Sequence, residues 1–338
     1  MANNHNYRNI NIELLRTILS LWIVILHCSK ISKKWKRYIL KGFHVPTFFL
    51  ISFYFYYPIL SQRLKTKIIS RFQRILVPYI FWPIITLLLN NILLKISSKG
   101  IYKGKDKLTF KDIYIQFLFG NGYHWIFWFQ FNLIFVSLFF AIISFMFKNY
   151  FLIILHYFGL ICLYLNYSHI IYNYLFPFRY HVKIPLGCLI EMIPLAVIGC
   201  NYNSNKLLSN MKEIPLNNQI ILLVLLYFLF KYDFEINILG FRYPLVLLNI
   251  MASTTLLILF NSLKIDELLF LNPIIIIITK FTGGIYYIHI VFRDFLRKNF
   301  SFFSKTLSSG FVIYFLCYII CFIGYSFFRN NKMKYLFI

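Results

Sequence analysis

The chain alternates long apolar runs with short polar interruptions. The runs reach about 20 residues, the length at which an α-helix crosses the hydrocarbon core of a bilayer. Boundaries drawn at charged, Asn-, Pro- or Gly-rich stretches predict ten helical spans, over 12–30, 43–60, 75–95, 123–147, 150–167, 184–200, 216–232, 243–261, 270–292 and 307–328. Only Lys148 and Asn149 separate the fourth span from the fifth, which predicts an antiparallel hairpin. The longest polar connection runs from Ser97 to Gly122 and carries Lys99, Lys103, Lys105, Lys107 and Lys111. No polar segment is long enough for a separate soluble domain, and no internal repeat stands out. The expected fold is all-α: a polytopic transmembrane helix bundle forming one membrane domain over residues 1–338.

Composition agrees with that pattern. Of the 338 residues, 60% are hydrophobic, more than one soluble core of this size can bury. Phe (40) and Tyr (26) dominate the aromatics, and Tyr suits the many helix ends at a membrane–water interface. The first apolar run, Leu14 to Cys28, follows a polar stretch and ends without an A-x-A-like cleavage site, so it reads as a retained helix and not a signal peptide.

The net charge of +25 would suggest nucleic acid for a soluble protein. Here the basic residues lie in loops between apolar segments, so anionic lipid headgroups or anionic substrates are the expected partners, and nucleic acid is not. Six cysteines (Cys28, Cys162, Cys188, Cys200, Cys317, Cys321) fall almost entirely within apolar runs and form no C-x-x-C pair. Neither disulfides nor a metal site is expected. Ten spans put both termini on one face. With that face cytoplasmic, the outer loops carry more Lys and Arg than the inner ones, against the positive-inside rule, so charge does not settle orientation.

Ionisable groups inside hydrocarbon are costly and mark function or structural pairing. The first span has two, Arg16 and His27. Their eleven-residue spacing turns about 1100°, roughly 20° from a whole number of turns, so both project from one helix face, about 16 Å apart along the axis. Between the second and third spans, Arg71 and Arg74 are three apart and share a helix face, a fork suited to phosphate. His124 with Trp125 and Trp128 forms either an interfacial aromatic group at a helix end or a surface on which a ring can stack. Glu191 sits in an apolar stretch, where it either pairs with an Arg or binds a hydroxyl. His289 lies in the ninth span, either as a satisfied core histidine or facing an internal cavity.

These residues carry a resemblance. The first span, NIELLRTILSLWIVILHCS, resembles the opening of the acyltransferase-3 family of bacterial membrane proteins, with its Arg, ten residues, then His at Arg16 and His27. The family's Arg-x-x-Arg with a following Pro-aromatic pair is matched by Arg71, Arg74, Pro78 and Tyr79. FHVPTFFLISFYFYY, GYHWIFWFQFNLIFV and GGIYYIHIVF are similar to later family segments. Two departures stand out. The second span holds Ser52 without the usual Gly, and no Glu lies between Gly122 and Lys148, where some branches carry one. The single-domain members are the nearer match.

The resemblance implies a membrane O-acyltransferase of the inner (cytoplasmic) membrane, with cytoplasmic termini. It would move an acyl group, most often acetyl, from acetyl-CoA or another acyl-CoA to a hydroxyl of a cell-envelope carbohydrate or glycolipid. His27 is then the catalytic candidate, either as general base or as acyl carrier. Arg16 would face the donor side and contact its thioester or a phosphate, and Arg71 and Arg74 would bind the coenzyme A phosphates or hold the base of the pore. The rival reading is a transporter or flippase of polysaccharide precursors. That class favours paired, broken helices in two matching halves, which the sequence does not show.

Overall fold

The computed structural model describes residues 9–28, 43–97, 109–120, 127–167, 180–205, 214–238, 244–263, 271–299 and 307–338. Among them every regular element is helical. In chain order these are α1 (Ile10–Cys28), α2 (His44–Ser61), α3 (Lys65–Ser97), α4 (Phe110–Phe119), α5 (Trp128–Met146), α6 (Phe151–Tyr167), α7 (Tyr180–Ser204), α8 (Leu216–Ile238), α9 (Pro244–Ser262), α10 (Leu271–Thr279), α11 (Thr282–Asn299) and α12 (Leu307–Phe328), then a 3-10 turn over Lys332–Leu336.

Each of the ten apolar runs coincides with a helix, and the ninth is split in two. Four helices are long and apolar enough to cross a membrane: α1, α3, α5 and α12. The bent pair α10–α11, angled at 51°, makes a fifth if taken as one broken span. The apolar stretches of α6, α8 and α9 are shorter. The described residues therefore give an all-helical membrane protein with four or five clear spans.

Two apolar clusters organise the bundle, and α1 belongs to both. Its first half sends Ile12, Leu15 and Leu19 into a cluster built with α2, α5, α6, α7, α8 and α9. Its second half sends Val24 and Cys28 into one built with α3, α11 and α12. On α2 the buried residues Phe49, Phe53, Tyr56 and Leu60 recur at helical spacing and form its inward stripe. Phe53 meets Phe140 of α5 edge-on at 4.9 Å. Gly199 lets α7 lie directly on α2, because a Cβ there would stand 2.4 Å from the Leu50 carbonyl oxygen.

The start of α1 is pinned by amides. Asn9 caps the helix by accepting from the Ile12 N–H at 3.2 Å and donates to Asn261 at 2.8 Å, while Asn11 donates to the Leu263 carbonyl. The polar connection before α5 contains an unforeseen helix, α4. Thr109 and Asp112 form a reciprocal capping box at its start, and Gly120 in the left-handed conformation ends it.

Candidate active site

The break between α10 and α11 supplies the floor of the site. Thr282 donates to the Thr279 carbonyl at 3.0 Å, satisfying a group that the bend exposes. Lys280 places its ammonium 3.5 Å over the Tyr325 ring. Gly283 and Gly284 admit the chain's last residues, since a Cβ on either would lie 2.6 Å from the carbonyl oxygen of Ile338 or Phe337.

From this break α11 runs alongside α1, and the two polar residues of α1 both meet it. Arg16 donates to Glu13 on its own helix at 3.0 Å and reaches Thr282 Oγ1 at 3.4 Å. Glu13 is almost buried, with 7% of its side chain exposed against 32% for Arg16, so the ion pair seats an otherwise costly carboxylate. Toward the other end of α1, the ring of His27 stacks on that of His289, centroids 5.5 Å apart and planes 25° apart. His289 is fully buried, and its Nδ1 donates to the Ile285 carbonyl one turn back at 3.2 Å. That bond leaves Nε2 with its lone pair, and Nε2 has no hydrogen-bond partner among the described residues. The buried hydroxyl of Tyr314 on α12 approaches that of Ser20 on α1. Ser20 lies on the Arg16–His27 face of α1, four residues beyond Arg16.

The C-terminal turn of α1 is held by cations. Arg293 donates to the His27 carbonyl at 3.3 Å and pairs with Asp294 at 2.7 Å. Arg297 and Ser309 both donate to the Cys28 carbonyl. These donors answer carbonyls that the helix end leaves without intrahelical partners, and they hold the backbone that carries His27.

Arg71 and Arg74 part company. Arg71 turns into the bundle: Nη2 donates to Ser52 Oγ at 2.8 Å, Nε and Nη2 approach Ser137 Oγ at 3.4 Å, and the guanidinium carbon lies 4.1 Å from the centre of the Tyr56 ring. Arg74, three residues on, is exposed. The expected two-guanidinium fork is therefore one half-buried cation turned into the bundle and one surface cation. Pro78 opens the ladder of α3 nearby, and Gln130 of α5 donates to the Ile75 carbonyl at 3.1 Å. The Arg71 nest is locked upstream by Arg63, which sits in the left-handed conformation and clasps the Ser144 carbonyl at 3.0 and 2.7 Å.

Trp128 is half-buried at the first turn of α5, edge-on to Phe129 at 6.3 Å. Glu191 is half-buried on α7. His124 and Trp125 lie outside the described residues. Among the described residues no three His, Cys, Asp or Glu side chains gather as a metal site requires. The structure thus joins Arg16, His27 and His289 along one seam, with Glu13, Thr282 and Arg293 as partners that sequence reading did not single out. Glu13 had a signal, its three-residue spacing from Arg16. Thr282 and Arg293 had none, being 266 residues from their partners.

An all-helical membrane domain with a cation and a stacked imidazole pair along one internal seam defines the class: a membrane protein that keeps polar groups inside its helix bundle. Within it, the acyltransferase-3 family model, described as an acyltransferase domain, matches residues 9–327, and the chain belongs to that family. No curated protein and no solved structure matches the chain.

Proposed function

We propose that this acyltransferase moves an acyl group, acetyl by preference, from an acyl-CoA thioester to a hydroxyl of a cell-envelope carbohydrate or lipid-linked sugar. In this reading it is a ten-span protein of the inner (cytoplasmic) membrane with both termini cytoplasmic. The observation that carries the reading is the α1–α11 seam, where Arg16 and His27 address one neighbouring helix from two depths. A donor entering at the Arg16 end meets a guanidinium that can hold its polar or anionic groups while its thioester reaches further in. An acceptor hydroxyl meets an imidazole about 16 Å further along the axis, a distance the pantetheine arm of the donor can span. Arg71 serves the donor's phosphates, held rigid by Ser52, Ser137 and Tyr56. The net charge of +25 favours an anionic donor over a neutral one.

The test is purified protein in liposomes with radiolabelled acetyl-CoA. Wild type should release coenzyme A and transfer or hydrolyse the label, and His27→Ala should lower that rate about 10³-fold at unchanged expression. Undiminished turnover in His27→Ala removes this imidazole from the chemistry. Absence of any coenzyme A release by wild type removes the acyltransferase reading of the seam.

A further inference from the structure

Acyl transfer to a hydroxyl asks for two things from imidazole chemistry: a nucleophile for the thioester and a base for the hydroxyl. The seam contains two imidazoles. His27 and His289 stack at 5.5 Å with planes 25° apart, so their ring edges lie side by side and can address one small region together. Stacked rings do not hydrogen-bond to each other. His289 has its tautomer set, because Nδ1–H is directed at the Ile285 carbonyl and the lone pair is left on Nε2. That nitrogen is buried and has no hydrogen-bond partner among the described residues. An orphaned buried acceptor is costly, so a donor is expected to reach it in the working protein.

We infer that the two histidines divide the reaction, His27 carrying the acyl group and His289 Nε2 taking the proton of the acceptor hydroxyl. This rests on the acyltransferase reading above. In the first step a ring nitrogen of neutral His27 attacks the thioester carbonyl. The C–S bond breaks, coenzyme A leaves as its thiolate, and His27 becomes an acyl-imidazolium. In the second step the hydroxyl oxygen attacks the acyl carbon. Its proton passes to His289 Nε2, the C–N bond breaks, and its electron pair returns to His27, which is neutral again. The His289 imidazolium then gives its proton, through solvent, to the departed thiolate, and both return to their starting states. Arg293, anchored on the His27 carbonyl and on Asp294, holds the end of α1 that presents the acyl carrier to its partner.

The experiment separates the steps by nucleophile. Water, like an alcohol, needs a base to attack an acyl-imidazole, and hydroxylamine does not. Purified wild type, His289→Gln and His27→Ala are supplied with acetyl-CoA, and two products are measured: acetate from water and acetohydroxamate from added hydroxylamine. In His289→Gln acetate formation should fall about 100-fold or more, while hydroxamate formation stays within a few-fold of wild type. His27→Ala should lose both. A His289→Gln protein that loses both products equally, or keeps both, overturns the division of labour while leaving the acyltransferase reading intact. A wild type that makes neither product and releases no coenzyme A overturns both. If His289→Gln is not monodisperse in detergent, His289→Ala with added imidazole serves instead: acetate formation should recover with imidazole concentration, and no recovery counts against His289 as the base.

Discussion

Two cationic regions within this bundle are built on opposite principles. Along the α1–α11 seam the cations are answered by carboxylates and backbone carbonyls: Arg16 by Glu13, Arg293 by Asp294 and the His27 carbonyl. In the nest between α2, α3 and α5, Arg71 is held by two serine hydroxyls and the faces of Tyr56 and Phe53. An ion pair consumes a cation's field at short range. Hydroxyls and ring faces position a guanidinium but leave its charge available to an anion. The seam is thus organised to orient groups for chemistry, and the nest to receive a charged ligand.

The largest effect that tests this contrast comes from Arg71→Ala. A donor phosphate held by one positioned guanidinium loses about 1.5–3 kcal/mol of charge-assisted hydrogen bonding, which is roughly 10- to 100-fold in binding. The donor KM should rise by that factor with little change in kcat, because the nest is remote in sequence and cluster from the histidine pair. Arg71→Lys should recover only part of the loss, since an ammonium cannot bridge Ser52 and Ser137 as the planar fork does. A fall in kcat at constant KM would place Arg71 in the chemistry and erase the distinction between the two regions.

Next in size is Glu13→Gln. The amide keeps the volume and still accepts from Arg16, but the charge balance is gone. Glu13 is nearly buried and Arg16 one-third exposed, so solvent offsets part of the change and the expected cost is about 1 kcal/mol. Arg16 would then be freer to swing from Thr282. Turnover should fall about fivefold with a small drop in the unfolding midpoint in detergent. Measuring kcat and the midpoint together decides whether Glu13 aims the guanidinium or only stabilises the fold.

The contrast was half visible in the sequence. Helix periodicity alone put Arg16 and His27 on one face, and both residues do meet α11. The apolar runs located every long helix because lipid-length hydrophobicity is a local signal. The capping box at Thr109 and Asp112 was a local signal too, hidden inside a lysine-rich connection. The break at 280–281 is written in Lys280, Thr282, Gly283 and Gly284, polar and permissive residues inside an apolar run. What stayed illegible was partnership across the chain. His289 lies 262 residues from His27, and Ser137 lies 66 from Arg71, and no periodicity reaches that far. The same limit explains the fork. Spacing of three puts Arg71 and Arg74 near one face, but about 60° of helical offset is enough for one to enter the bundle while the other stays outside.

That divergence gives the smallest and most discriminating prediction. Arg74 is exposed on the first turns of α3, where a cation is screened by solvent and salt. Arg74→Ala should cost at most about 0.5 kcal/mol in stability and raise the donor KM no more than two- to threefold at physiological ionic strength. Its contribution should shrink further as salt is raised, because it acts through the long-range field that draws an anionic donor toward the bundle. The Arg71→Ala defect should persist in the same salt series, since a desolvated contact is screened much less. Donor KM measured for both variants across ionic strength therefore separates the two arginines. Parallel salt curves would mean that both reach the ligand, and that the buried nest around Arg71 confers no privilege on the residue inside it.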